Sequence, residues 1–303
     1  MHNQVEITTI YVIVDEFCKT FHQLLNRQAI TANTSKQIRN KPCAMSDAEV
    51  ITILIYFHLQ GYRCLKHFYL HHVQKHMQQE FPRTVSYNRF VELSQKVAIP
   101  MILLLKTMMK DKCTGISFID STPVRVCKNQ RIHAHKVFKG IANRGHCSIG
   151  YFFGFKLHII INEKGELLNY SLTKAAKHDA QIDLMKTLVK DLFGKLYGDK
   201  GYLSKKLFET LFHDGVHVVT KLRKNMKNCL MSVKDKILLR KRAVIECVND
   251  ELKNQCQIEH SRHRSMANFI TNLVSGLLAY CFLPKKPSIH IEFHNDAQLA
   301  LIP

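Results

Sequence analysis

Alternating strand and helix patterns after Cys113 restrict the fold of this chain more than any other feature. A β-branched run covers residues 116–126, and two further strand patterns flank a turn at residues 162–165. Helix and strand patterns then alternate through residues 178–253, which gives the order β-β-β-α-β-α-β-α. Such an order predicts an α/β fold in which a mixed sheet is flanked by helices.

Positive charge is in large excess in this chain. It has 44 Lys and Arg against 24 Asp and Glu, a formal net charge of +20. An excess of this size indicates a polyanionic partner, usually nucleic acid and less often an acidic membrane surface. The most apolar stretch, residues 269–284, is too short to span a membrane and contains Asn272 and Ser275, so we expect a buried helix there.

The cysteines and the N-terminus favour a cytoplasmic protein. The ten cysteines are scattered without a CxxC pair, which is typical of reduced thiols. The apolar run near the N-terminus has acids on both sides and no basic leader, so we expect no signal peptide.

Helical patterns dominate residues 1–112. Ser46 and Glu49 form a capping box ahead of an apolar run. A second helical pair covers residues 84–110, and Pro100 predicts the break between its helices. This all-helical region carries Arg83, Arg89 and many Lys and His, which suits DNA binding, although a plain helical bundle has the same propensities.

Three acids stand out by their positions. Asp120 ends the apolar run 116–119, and Asp199 follows a short strand pattern on a turn flanked by Gly198 and Gly201. Glu246 lies on the helix predicted for residues 241–253. Two carboxylates at strand ends, with a third from a packed helix, can hold a pair of divalent cations, and Mg²⁺ prefers such oxygen ligands. For Asp199 the alternative is a plain turn residue.

The helix pattern selects the third acid. At 100° per residue, Arg242, Asn249 and Lys253 lie within about 60° of Glu246, while Val244 and Val248 lie on the opposite face. Asp250 lies about 40° from Glu246 and is the rival acid. A solvated Glu246 paired with Arg242 is the alternative reading.

These residues carry a resemblance to a known family. The stretches FIDSTPV, LYGDKGY and RAVIECVNDELKNQCQIEHSRHRS surround the three acids, and the last fits R-x3-E-x6-K through Arg242, Glu246 and Lys253. The chain resembles DDE transposases of bacterial insertion sequences, in particular the 982 family of insertion-sequence transposases. Leu239 stands where such enzymes usually have a tyrosine. The resemblance implies a ribonuclease-H-like catalytic domain, two Mg²⁺ ions with Mn²⁺ as a substitute, and cutting and joining of transposon-end DNA.

The resemblance also implies site residues and partners. Asp120, Asp199 and Glu246 would be the catalytic residues and metal ligands. Double-stranded DNA, as terminal inverted repeats and as target, would be the partner, bound by a dimer or higher oligomer in a bacterial cytoplasm and nucleoid. A catalytically inactive DNA-binding protein of the same fold is the alternative. The expected DNA contacts are Arg242, Lys253, Lys221, Arg223, Lys224, Arg262 and Arg264.

We expect three regions along the chain. Residues 1–112 form the helical, end-binding region, residues 113–285 the catalytic domain, and residues 286–303 a tail. The polar segment 128–147 reads as a loop that either touches DNA or is only flexible. The basic tract 221–228 is expected along the phosphate backbone.

Two further motifs admit more than one interpretation. Asp179 is expected to cap a helix, while the resemblance leaves a supporting role near the metals open. The His-rich segment is either a basic, solvated helix face or, less favoured, a zinc site. The zinc ligands would be Cys64, His67, His71 and His76.

Overall fold

Helices form the first third of the chain in the computed structural model, which describes residues 6–31, 43–147, 150–221, 231–259 and 263–289. The capping box is confirmed, because the Ser46 hydroxyl accepts the Glu49 N–H and the Glu49 carboxylate accepts the Ser46 N–H. The helices are α1 (Ile7–Thr31), α2 (Asp47–Leu59), α3 (Leu65–His67), a π-helix (Phe68–Val73), α4 (Gln74–His76), α5 (Tyr87–Lys96) and α6 (Ala98–Met109).

The break between α5 and α6 lies at Val97 and not at Pro100. Pro100 is the third residue of α6 and sits in its first turn, where backbone N–H groups have no partner within the helix. A proline therefore fits there without breaking the helix.

A six-stranded mixed sheet follows the helices, and the predicted α/β class is confirmed. The strand β3 pairs antiparallel with β1 on one side and with β2 and then β4 on the other, while β5 and β6 continue the sheet parallel to β1. A mixed sheet flanked by helices is the arrangement that the sequence predicted. The strands are β1 (Ile116–Cys127), β2 (Asn143–Cys147), β3 (Gly150–Asn162), β4 (Leu167–Lys174), β5 (Gly194–Gly198) and β6 (Val216–Thr220).

The strand β2 was not predicted, since residues 128–147 read as a loop. Its sequence, NRGHC, has no β-branched residue, and its pairing with β3 forms it. The predicted turn at residues 162–165 is confirmed, with Gly165 at φ +73 between β3 and β4. Glycine adopts that backbone conformation without strain.

Helices cover both faces of the sheet. The helices α7 (Ile182–Leu188) and α8 (Lys205–His213) pack on the face that carries Ile119 and Leu196. The other face, which carries Phe118 and Tyr197, shares one hydrophobic core with the N-terminal helices and the last helices of the chain. These last elements are α9 (Val233–Lys241), α10 (Val244–Asp250), a π-helix (Glu251–Gln255) and α11 (Met266–Phe282).

The apolar helix α11 is buried, as predicted. It packs on α2, α5 and α6, so the N-terminal region and the sheet are joined through it. In the described residues, no helix has both the length and the apolar character needed to cross a membrane. The nine cysteines in the described ranges carry free thiols.

Candidate active site

Asp120 and Asp199 follow equivalent positions of two neighbouring parallel strands. The last pair between β1 and β5 is Phe118 with Tyr197, whose ring centroids lie 5.5 Å apart. Asp120 comes two residues after Phe118, and Asp199 comes two residues after Tyr197. Side chains along extended backbone alternate between the two faces of a sheet, so each aspartate lies on the same face as the aromatic ring before it. Asp199 keeps an extended conformation (φ −76, ψ 169) before a short 3₁₀ turn. The two carboxylates are therefore placed side by side on the face that α10 covers.

Asp120 does not end its strand, contrary to the expectation. The strand β1 continues to Cys127 because it stays paired with β3 there. What ends near Asp120 is the pairing with β5, whose last partner on β1 is Phe118. The sheet opens at this point, so α10 can reach the aspartate.

Residues of α10 and of the turn before it contact Asp120. Asn249 Nδ2 donates a hydrogen bond to Asp120 Oδ2 at 2.9 Å. Arg242 Nη1 lies 3.6 Å from Asp120 Oδ1, and Arg242 Nη2 donates to Glu246 Oε1 at 3.1 Å. Arg242 thus bridges the strand acid and the helix acid, and its own side chain is only 17% exposed.

The pKa of Asp120 is influenced by the other two acids. Burial raises the pKa of Asp120 to about 6, and the charges of Glu246 and Asp199 push the pKa in the same direction. Arg242 and the backbone N–H of Ser121 oppose the rise. The charges of two further carboxylates thus act on Asp120, and a cation bound near it would relieve this repulsion.

The rival acid Asp250 is engaged elsewhere. Its Oδ1 accepts a hydrogen bond from Asn254 Nδ2 at 2.6 Å on the solvent side of the helix. Glu246 is 62% exposed but remains tied to Arg242. Of the two helix acids, the geometry favours Glu246 as the third acid of the candidate site.

One known protein family matches the part of the chain that contains the three acids. The sequence pattern described as "Transposase DDE domain" matches residues 110–266, just over half of the chain and a range that contains all three acids. The chain belongs to this family. No curated protein sequence matches the chain.

Two solved structures are similar to the chain at low identity. One is a piggyBac transposase synaptic complex with hairpin DNA, at 9% identity and a TM-score of 0.48, with 82% of this chain and 68% of that chain covered. The other is the Mos1 strand transfer complex, at 12% identity and a TM-score of 0.23, with 91% and 95% covered.

The donor set of this DDE domain suits a hard divalent cation, although the site is not preassembled. Within the described ranges, no three His, Cys, Asp or Glu side chains are close enough to hold a metal ion together. Asn249 Oδ1, however, is buried beside Asp120 with no hydrogen-bond partner in the described part of the chain. An amide oxygen and carboxylates are the oxygen ligands that such cations accept. Asn249 lies on the helix face predicted for Glu246, but the sequence pattern indicates no role for it.

Among the described residues, Lys253 forms its ion pair with Glu259. The π-helix Glu251–Gln255 has a longer turn than an α-helix, so the 100° spacing used for the prediction does not hold there. Lys253 Nζ lies 3.9 Å from Glu259 Oε2, and burial lowers the pKa of Lys253. Leu239, at the position of the expected tyrosine, is buried in the core.

The other expected DNA contacts fall into two groups. Lys221 and Arg264 are exposed. Arg223, Lys224 and Arg262 lie outside the described residues, as does most of the tract 221–228.

Asp179 is not a helix cap. The helix α7 begins at Ile182 with Gln181 at the cap position. Asp179 instead accepts hydrogen bonds from Lys156 Nζ at 3.0 Å and from Ser121 Oγ at 3.1 Å, next to Asp120 in sequence. The sequence could not show this pair, because Lys156 lies on β3, far from Asp179 along the chain.

Glycines around Asp199 have different roles. A Cβ on Gly198 would lie 3.2 Å from side-chain atoms of Ile119 and of Tyr202, whereas a Cβ on Gly201 would meet only Asp179 Oδ2 at 3.9 Å. Close packing therefore requires the first glycine and not the second. In the His-rich segment 64–76, the rings of His67 and His72 pack on Tyr62, and His72 also packs on Phe68. The zinc alternative has no support from a ligand cluster in the described residues.

Proposed function

We propose that this chain is the transposase of a bacterial insertion sequence of the 982 family. It binds the ends of its element as a dimer or higher oligomer in the bacterial cytoplasm and catalyses Mg²⁺-dependent strand cleavage and strand transfer. The observation that supports this most is the placement of Asp120 and Asp199 on adjacent strands, with Arg242 linking Asp120 to Glu246. Membership of the DDE domain family supports the class of reaction.

Both proposed reactions are displacements at phosphorus. In cleavage an oxygen of water forms the new P–O bond and the 3′-oxygen leaves. In strand transfer that 3′-hydroxyl attacks a target phosphodiester, and the 3′-oxygen of the target strand leaves. Asp120, Asp199 and Glu246 would hold two Mg²⁺ ions, and such a pair, when bound, stabilises the attacking and the leaving oxygen. Mn²⁺ would substitute, since it accepts the same oxygen ligands.

Neighbouring residues keep the Asp120 carboxylate ionised and fixed in position. The positive charge of Arg242 opposes the rise in the pKa of Asp120, so more of the carboxylate stays ionised near neutral pH. Asn249 holds one oxygen of the same carboxylate. Lys221, Arg264, Lys253, Arg223, Lys224 and Arg262 would contact backbone phosphates, where the net charge of +20 favours binding.

Strand cleavage and joining by acid variants test this function. Asp120→Asn, Asp199→Asn and Glu246→Gln keep the side-chain shape but remove the charge that holds a cation. Each should lower the rate at least 10²–10³-fold, roughly the cost of removing one transition-state stabiliser. The measurement uses purified protein, Mg²⁺ or Mn²⁺, and DNA that carries the element's own ends.

Asp250→Asn is the matched control on the same helix and should keep most of the activity. DNA binding by all four variants should persist and weaken steeply as salt rises. Near wild-type cleavage by Asp199→Asn would contradict the site. Wild-type protein that binds the ends but neither cuts nor joins them would indicate the inactive DNA-binding alternative.

A further inference from the structure

A basic groove lies beside the candidate active site. It has a volume of about 630 Å³ and runs between the β2–β3 hairpin and the segment that follows β4. Arg144, Lys156 and Lys177 line it together with His146 and His178, and no acid is among the described residues of its lining. A surface of this charge suits an anionic ligand.

One aromatic ring projects from the groove wall. Tyr151 is 72% exposed, although tyrosine is a large and mostly apolar side chain. Asn129 Nδ2 donates to the Tyr151 carbonyl oxygen at 2.8 Å, so the backbone below the ring is held. The ring meets His146 edge to face at 4.9 Å between centroids, a contact that covers at most one face of the tyrosine.

A second hollow of about 340 Å³ adjoins the groove at Tyr151. Tyr151 and Asn129 line both hollows, and Arg125 and Lys128 line only the second. The acid of this hollow, Glu259, already accepts the backbone N–H of Arg125 at 3.0 Å. Tyr151 is therefore shared by two hollows that both carry basic side chains.

A chain of hydrogen bonds links the groove to the residue after Asp120. Lys156 lines the groove and donates to Asp179, which accepts from Ser121. Lys156 is paired with Pro123 of β1, so a DNA strand held in the groove would lie near the part of β1 that carries Asp120.

We propose that the two hollows bind a single-stranded segment of DNA, with one unpaired base stacked on Tyr151. The proposal rests on the proposed function, because it assigns a path to the strand that the candidate site would cut. Each hollow has the size of a small-ligand site and not of a duplex. Base faces are free to stack on a side chain only where the strand is unpaired, and basic side chains then follow its phosphates.

Binding by full-length variants tests the proposal. Anisotropy would give the dissociation constants for an oligothymidylate and for a duplex of the same length at one salt concentration. Tyr151→Ala should weaken single-strand binding at least about fivefold, the lower end for one base–aromatic stack, and change duplex binding less than about twofold. Tyr151→Phe should bind like wild type.

Phe212→Ala is the matched control, because Phe212 is a 67% exposed ring on α8, outside both hollows. It should leave both affinities unchanged. Fluorescence of a 2-aminopurine in the single strand should be quenched by wild type and by Tyr151→Phe but less by Tyr151→Ala. Thermal melting of each variant checks that the exposed substitution leaves the fold intact.

Equal losses for single strand and duplex, no loss with Tyr151→Ala, or the same loss with Phe212→Ala would each overturn the proposal. If wild type binds duplex and only the Tyr151 effects are missing, this inference alone fails. If wild type binds neither DNA, the proposed function fails with it.

Discussion

At the scale of single residues, Asp120 combines a functional position with a cost in stability. Its carboxylate lies beside two other acids and is largely shielded from water, and its pKa rises to about 6. Because the folded protein holds the proton more tightly than the unfolded chain, the folded state loses stability as pH rises from about 4 to about 6. Above that range the ionised carboxylate destabilises the metal-free fold.

Asp120→Asn should therefore raise the melting temperature of the metal-free protein at pH 7.5. The upper bound is about 3 kcal/mol, from two pKa units at about 1.4 kcal/mol each, and the gain should vanish towards pH 4. Calorimetry with a chelator present measures it. Asp250→Asn, with its acid on the solvent side, should change little, and a lower melting temperature for Asp120→Asn would contradict the electrostatic account.

The turn of Asp199 offers a second test at this scale. Gly198→Ala should destabilise the fold by about 1–3 kcal/mol, because the added methyl group overpacks against Ile119 and Tyr202. Gly201→Ala has open space and serves as the control. Urea unfolding of both variants measures the difference, and equal stabilities would show that the space around Gly198 adjusts.

At the scale of elements, one carboxylate joins α9 to the middle of the sheet. Asp235 accepts hydrogen bonds from Lys195 Nζ at 2.8 Å, from the Tyr197 hydroxyl at 2.7 Å and from Ser232 Oγ at 2.7 Å. Burial alone would raise the pKa of Asp235, but these bonds outweigh burial and lower the pKa. The helix α9 is thus fixed just before the segment that contains Arg242.

Asp235→Ala should lower the free energy of unfolding by about 1–3 kcal/mol at pH 7, since it leaves buried donors without an acceptor. The lowered pKa means that this stability is present above about pH 3.9, the ordinary pKa of Asp, and is lost as pH falls below it. Urea unfolding from pH 7 to pH 3 should show the difference between wild type and variant shrinking. Glu209→Gln removes an exposed pair with Lys205 and should have no measurable effect.

At the scale of the whole molecule, the N-terminal helices and the sheet share a core. The helix α11 packs on α2, α5 and α6, and His58 of α2 lies 2.8 Å from Ser275 of α11. The boundary at residue 112 stays a prediction for function, because the core runs across it.

A fragment of residues 113–303 should therefore lack a cooperative melting transition, since α11 would lose its apolar partners. Circular dichroism of the fragment and of the full chain measures this, and addition of a fragment of residues 1–112 should restore the transition. A cooperative melt of the fragment alone would show an independent domain.

End recognition by the N-terminal region is better tested in the full chain, with Arg83→Ala at an exposed position.

The sequence alone determined the features that depend on a few neighbouring residues. The capping box of α2, the turn at Gly165 and the alternation of helices and strands from α7 to β6 all followed from short-range patterns. These patterns are local because hydrogen bonds within helices and tight turns join residues that are close in the chain.

Only the tertiary structure decided which side chains meet. Asn249 donates to Asp120 across 129 residues, Lys156 engages Asp179, and β2 forms because β3 is there to pair with it. The π-helix after α10 likewise departs from the 100° spacing on which the position of Lys253 was predicted. Contacts between distant segments depend on how the helices pack on the sheet, and no short stretch of sequence contains that information.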